Sequence, residues 1–301
     1  MEQRKSLKSS ASSLRILGIL FVLPSMLFIA FSMLVPIVWN AAMSLTTWNG
    51  MTAVKWTGFA NYAKVFEDAV TVRGFIYSLQ IAVVSSALAI AAGLLLALAI
   101  YKTGPKEGAF YRFVFFSPAM MPFVIIGFLF VFILSPDVGL LNSVLGALGL
   151  QNLQHAWLSE PGTVVWTIAV IGGWRFSGLV MILCYTAMTT IPSSMFEAAR
   201  LEGMGYARQV RMIILPLIMP TVRLVTLLML ILAFKTYDIV FIMTKGGPGD
   251  SSRTVPVRML DVAFQYNEFG YASAIGVLLT ILVSLVIVIV QRLARGESYE
   301  Y

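Results

Sequence analysis

Six long apolar stretches alternate with more polar segments along the chain, near residues 14–38, 75–100, 113–134, 163–188, 217–243 and 269–290. Each is long enough to cross a hydrocarbon core of about 30 Å, which takes roughly 20 helical residues. None shows the strict two-residue alternation of barrel strands. Helices are then the remaining way to satisfy their backbone groups in lipid. The pattern predicts an all-α integral membrane protein with six transmembrane helices. Composition agrees: 59% of residues are hydrophobic and 12% charged, with a mean hydropathy of +0.87. One membrane domain is expected over 14–293, between short polar tails at 1–13 and 294–301, with no soluble module attached. The first apolar run exceeds a signal-peptide core and lacks a small-residue cleavage site, so it reads as a retained helix.

Basic residues set the expected orientation. With the amino terminus inside, the inner segments hold eleven: Arg4, Lys5, Lys8, Lys102, Lys106, Arg112, Arg200, Arg208, Arg211, Arg292 and Arg295. The outer segments hold six: Lys55, Lys64, Arg73, Lys245, Arg253 and Arg258. The excess places both termini, and the polar loop 189–216, in the cytoplasm. The net charge of +7 sits mostly at span ends facing anionic headgroups, which removes any need for a nucleic-acid partner. Cys184 is the sole cysteine, so no intramolecular disulfide is possible. His155 is the sole histidine and falls in an outer loop, which excludes a multi-histidine metal site and reads as a solvated residue.

Within the spans, Ser85, Ala89, Gly93 and Ala97 mark one face of the second, and Ala272, Gly276, Thr280 and Ser284 one face of the sixth. Such faces let helices approach closely in lipid. Pro118, Pro122 and Pro220 are expected to kink spans three and five. Arg175, beside Trp174 and the Gly172-Gly173 pair, lies near the middle of span four. A mid-membrane arginine costs at least ~2.5–3.5 kcal/mol on insertion scales, so it must face water, a partner or the bundle interior. It therefore lines a pore or makes a structural contact. Lys235 and Asp238 stand three apart and are expected to pair with each other. With Trp174, Arg175, Tyr185 and Tyr237 they form the candidate substrate path.

The loop 189–216 carries the most organised polar sequence. Ser193 and Ser194 are expected to cap a helix starting near Met195, with Glu197 in its first turn. Gly203 and Gly205 allow a tight turn, a second helix covers Tyr206 to Ile214, and Pro216 ends it. Seven positions, Glu197, Ala198, Ala199, Gly203, Ile213, Leu215 and Pro216, reproduce the pattern EAA-x3-G-x9-I-x-LP. This resembles the EAA loop of binding-protein-dependent ABC importer permeases. Elsewhere Gly58-Phe59-Ala60-Asn61-Tyr62, Gly139-Leu140-Leu141-Asn142, Lys235 to Asp238 with Thr244 to Pro248, and Phe269 to Ala272 are similar to elements of the carbohydrate-uptake branch. Glu202 stands where that family commonly has aspartate.

The resemblance implies a six-helix type I ABC importer permease fold in the bacterial cell membrane and the import of a sugar or oligosaccharide. It implies that Glu197 anchors the loop to a basic residue of an ATPase, that Ala198 and Ala199 keep the contact close, and that Gly203 permits the bend. It further implies a second homologous permease, a dimer of ABC ATPase subunits that bind ATP and Mg, and an extracytoplasmic solute-binding protein, with no cofactor in this chain and no enzymatic activity of its own. The runner-up is an ion-coupled secondary transporter, which usually has carboxylates inside its spans. Here Asp238 is the one acidic residue within the span limits, and no repeated halves are visible. An intramembrane hydrolase is disfavoured, since neither Gly-x-Ser-x-Gly nor His-Glu-x-x-His occurs.

Overall fold

A computed structural model describes residues 17–293. Both predicted tails, residues 14–16 of the first run, and the basic residues Arg4, Lys5, Lys8 and Arg295 lie outside the described residues. Helices long and apolar enough to cross a membrane run Leu17–Met43, Ala69–Ile100, Val164–Thr189, Tyr206–Phe234 and Phe269–Leu293. A sixth crossing is made if the bent pair Pro105–Met120 and Phe123–Ile133, which meet at 95°, counts as one span. In chain order these are spans 1 to 6, the bent pair being span 3.

The prolines act differently from one another. Met121 and Pro122 are extended, with ψ near 140°, as expected for a residue held out of the helical region by a following proline. That break splits span 3, whereas Pro118 sits inside its first half. Pro216 does not stop a helix: span 5 passes through it. A π turn over Val210–Ile214 precedes it, with the Leu215 amide donating to Val210, and the wider turn accommodates the ring. Pro220 also lies within continuous helix. Span 5 breaks instead at Lys235–Tyr237 and resumes as a short helix, Asp238–Thr244. The Thr236 carbonyl, freed there, accepts from the Thr254 hydroxyl at 3.3 Å.

Spans 2 and 4 form the central contact. Ser85, Ala89, Gly93 and Ala97 are all buried. A β-carbon at Gly93 would lie 2.6 Å from both the Ser177 carbonyl and Val180 Cβ, so the two backbones touch only because that side chain is absent. Gly178 brings span 4 equally close to span 3, where a β-carbon would sit 2.0 Å from the Phe115 carbonyl. The sixth-span stripe behaves otherwise. Ala272 is buried, but Thr280 and Ser284 are exposed, so its second half faces outward.

Two of the four apolar cores among the described residues lie toward opposite ends of the bundle. One, at the end bearing the 189–216 loop, joins Ala97, Ile100, Val180, Met188, Ile214 and Ile218. The other joins Ile81, Ile126, Val165, Ile239 and Val240 at the opposite end. There the half-helix Phe123–Ile133 packs on Asp238–Thr244, and a β-carbon at Gly127 would meet Ile242 Cγ2 at 2.7 Å. The polar elements of this far end are internal ties. Asn61 donates to the Ser44 and Thr46 carbonyls, and Asn142 bonds Pro136, His155 and Trp157. His155 is not merely solvated: its Nδ1 is 3.0 Å from Glu160 Oε2, and its ring meets Trp157 edge-on.

Candidate functional site

The loop between spans 4 and 5 is a compact helical elbow. Its first helix, Ser193–Leu201, begins at the serines rather than after them. Pro192 occupies the capping position, and no side chain caps it. Glu197 is consequently in the second turn, beyond the first-turn amides.

Gly203 ends this helix with a φ of +72°. Its amide donates to Arg200 at 3.0 Å, and the Met204 amide reaches back to Ala199 at 2.9 Å. That pair of bonds is the Schellman closure, in which the left-handed residue is normally glycine. A β-carbon at Gly203 would meet nothing within 4 Å, so conformation alone demands glycine here. Gly205 has φ −67°, which any residue adopts. Only one of the two glycines makes the turn.

The two alanines also divide. Ala199 is 4% exposed and faces its own chain; Ala198 is exposed. Glu197, Leu201 and Glu202 are exposed with Ala198, Leu201 at 90%. Glu197 makes no ion pair among the described residues. Ile213, Leu215 and Pro216 are half-buried, while Ile214 between them is fully buried and anchors the elbow in the core of that end. Beside the elbow a cavity of about 570 Å³ is lined by Tyr101, Lys102, Glu197, Arg200, Tyr206 and Gln209, among others.

The candidate path residues are not brought together. Tyr185 lies at the loop end, its ring 6.2 Å from that of Tyr101. Trp174 precedes it by eleven positions, roughly 16 Å along a helix; it meets Phe130 edge-on at 5.4 Å. Tyr237 stacks on Phe241 at 5.2 Å, at the span 5 break. Lys235 and Asp238 are both exposed and make no ion pair with each other. The helix breaks between them, so the three-residue spacing that would align them is lost.

Arg175 is 6% exposed. Its Nη2 donates to the Met121 carbonyl at 3.0 Å and more loosely to Ala119 at 3.4 Å. The guanidinium lies 3.7 Å from the centroid of the Phe123 ring and 4.8 Å from that of Phe176. It therefore serves carbonyls cut loose by the break in span 3.

A polar network at the far end had no signal in the sequence. Asp68 caps span 2, accepting from the Val70 and Thr71 amides. It also accepts from Arg258 at 2.7 Å and from the Tyr271 hydroxyl at 2.9 Å. Burial by itself pushes the Asp68 carboxyl up. Hydrogen bonds from Thr71, Arg258 and Tyr271, with the Arg258 charge, outweigh that and hold it well below the usual carboxylate range. Nearby, Arg253 pairs with Asp261 and Asp250, and Lys64 with Glu268.

Comparison with known proteins gives these features a family. The model for "Binding-protein-dependent transport system inner membrane component" matches residues 89–296. The chain is 32% identical over 270 residues to the probable ABC transporter permease protein YurN of Bacillus subtilis, covering 89% of this chain and 92% of that one. It is 30% identical over 291 residues to the diacetylchitobiose uptake system permease protein NgcF of Streptomyces coelicolor, covering 92% and 82%. Its fold matches a chain of a bacterial ABC transporter involved in the import of the acidic polysaccharide alginate. The TM-score is 0.79 at 19% identity, over 98% of this chain and 99% of that one. These likenesses make the chain a member of the binding-protein-dependent transport system inner membrane component family: a multi-pass ABC importer permease with five or six membrane crossings, a transport component and not an enzyme.

Proposed function

We propose that this permease takes up a sugar or oligosaccharide and that the elbow Ser193–Pro216 is where separate ATPase subunits act on it. The observation that carries this reading is the exposed strip Glu197, Ala198, Leu201 and Glu202 on a helix whose opposite face, at Ala199 and Phe196, is seated in its own chain. A small residue flanked by carboxylates and a bare leucine suits docking into a groove with basic edges. Such a partner binds and hydrolyses ATP with Mg²⁺. Its stroke reaches spans 4 and 5, which the elbow joins. A second homologous permease completes the path, and an extracytoplasmic binding protein delivers the solute. The basic-residue count supports cytoplasmic termini and a cytoplasmic elbow. A sugar is supported by the NgcF likeness and by the resemblance of the outer elements.

The test is Ala198→Glu in the assembled importer. The variant is expected to insert normally, to lose its ATPase subunits on purification, and to abolish accumulation of labelled sugar by whole cells. Normal accumulation with the ATPases retained would overturn the docking assignment.

A further inference from the structure

Rings and cations from five elements meet at the loop-bearing end. The Tyr206 hydroxyl donates to the Leu98 carbonyl at 2.6 Å, and the Lys102 ammonium lies 3.5 Å from the centroid of the same ring. Leu98 is in the last turn of span 2, where a helix leaves carbonyls without amide partners; Tyr206 is the first residue of span 5. Around this pair, the Tyr101 ring lies 6.0 Å from Phe196 of the elbow and 6.2 Å from Tyr185 of span 4. Arg112, from the first half of span 3, sits 4.4 Å over Tyr185.

The chain itself connects the elbow only to spans 4 and 5. Span 2 is remote in sequence, and it leans on span 4 through small residues and shared apolar packing. We infer that Tyr206 and Lys102 are positioning residues that join the elbow directly to span 2, so that a push on the elbow moves spans 2, 4 and 5 together. This rests on the reading of the elbow as the ATPase contact. The bond and the cation contact converge on one ring, from the span-2 end and the residue two positions past it. They cross from the elbow to span 2, which the covalent chain does not link to it.

The test uses the complete importer in proteoliposomes. The probe is whichever member of a panel of labelled mono- and disaccharides the wild type accumulates best. Tyr206→Phe keeps the ring and removes only the hydroxyl; Lys102→Met removes the cation. The amount of sugar moved per ATP hydrolysed is expected to fall roughly three- to tenfold in Tyr206→Phe, the worth of one hydrogen bond, and further in the double variant. The ATPase subunits should still co-purify at wild-type levels. A ratio that stays at the wild-type value, or uptake and hydrolysis falling in step, would overturn the joint. A second measurement needs no sugar. With the buried Cys184 replaced by alanine, spin labels at Arg208 and Leu95 should keep one narrow distance on trapping with ATP and vanadate. In the double variant that distance should shift or broaden, and an unaltered trace there contradicts the joint. Ala198→Glu separates the two ideas. If it strips the ATPases while Tyr206→Phe leaves the ratio intact, only the joint fails; if the ATPases remain, the docking reading fails.

Discussion

Arg175 donates through Nη2 to the Met121 carbonyl at 3.0 Å, across the point where span 3 turns by 95°. A broken helix at membrane depth exposes carbonyls to a medium without water, and each one left bare costs free energy. The guanidinium answers that need, and the rings of Phe123 and Phe176 lie against it. The charge inside the fourth span and the break in the third are two halves of one arrangement.

Replacing Arg175 should therefore act first on the fold. Arg175→Met is expected to lower stability by about 1–3 kcal/mol for each carbonyl left without a donor, with Arg175→Lys intermediate because it keeps the charge and loses the planar fork. Thermal unfolding of the detergent-purified importer measures this. An Arg175→Met protein that melts with the wild type would refute the clamp.

At the elbow, Gly203→Ala forces a β-carbon into a left-handed conformation at a cost of about 1–2 kcal/mol. Gly205→Ala should be neutral, and Gly203→Asn should be milder than alanine. Limited proteolysis of the 193–209 segment in membranes is the readout. Equal cleavage rates for the two alanine variants would show that the Schellman closure does not hold the elbow.

The far-end network predicts an acid limit. The folded Asp68 carboxyl titrates below its unfolded value of about 4. Its contribution is therefore complete above that pH and is lost as pH falls through the region beneath it. Wild-type stability should be insensitive to this group from pH 7 to 5 and decline below about 4. Asp68→Asn should be less stable at pH 7 by about 1.5–3 kcal/mol, the worth of hydrogen bonds to a charge, and should show a shallower acid decline. Parallel pH profiles for the two proteins would exclude the network as the source.

Close approach of spans 2, 3 and 4 gives the fourth expectation. Gly178→Ala places a carbon 2.0 Å from the Phe115 carbonyl, which backbone cannot yield without moving a helix. Overpacking of this kind costs about 1–3 kcal/mol, whereas Gly104→Ala, with nothing within 4 Å, should be silent. Comparison of folded yield after solubilisation distinguishes them, and equal yields would mean that the helices re-space freely.

Apolar runs and the seven-position elbow pattern were legible in the chain because each is local. Twenty consecutive apolar residues already demand a helix in lipid, and a glycine after a short amphipathic helix already marks its end. What stayed hidden required knowing which distant residue arrives. Tyr206 reaches Leu98 across 108 positions, and Arg258 reaches Asp68 across 190; no periodicity encodes either. Ala199 turned inward and Ala198 outward because adjacent positions on a helix point about 100° apart, and only packing says which direction is core. Lys235 and Asp238 lost their expected pairing because the helix breaks between them, with no proline there to signal it. The chain by itself determined that there would be spans and an elbow. The tertiary structure decided which carbonyls, rings and charges would meet, because backbone groups freed at a break take whatever donor the neighbouring helix presents.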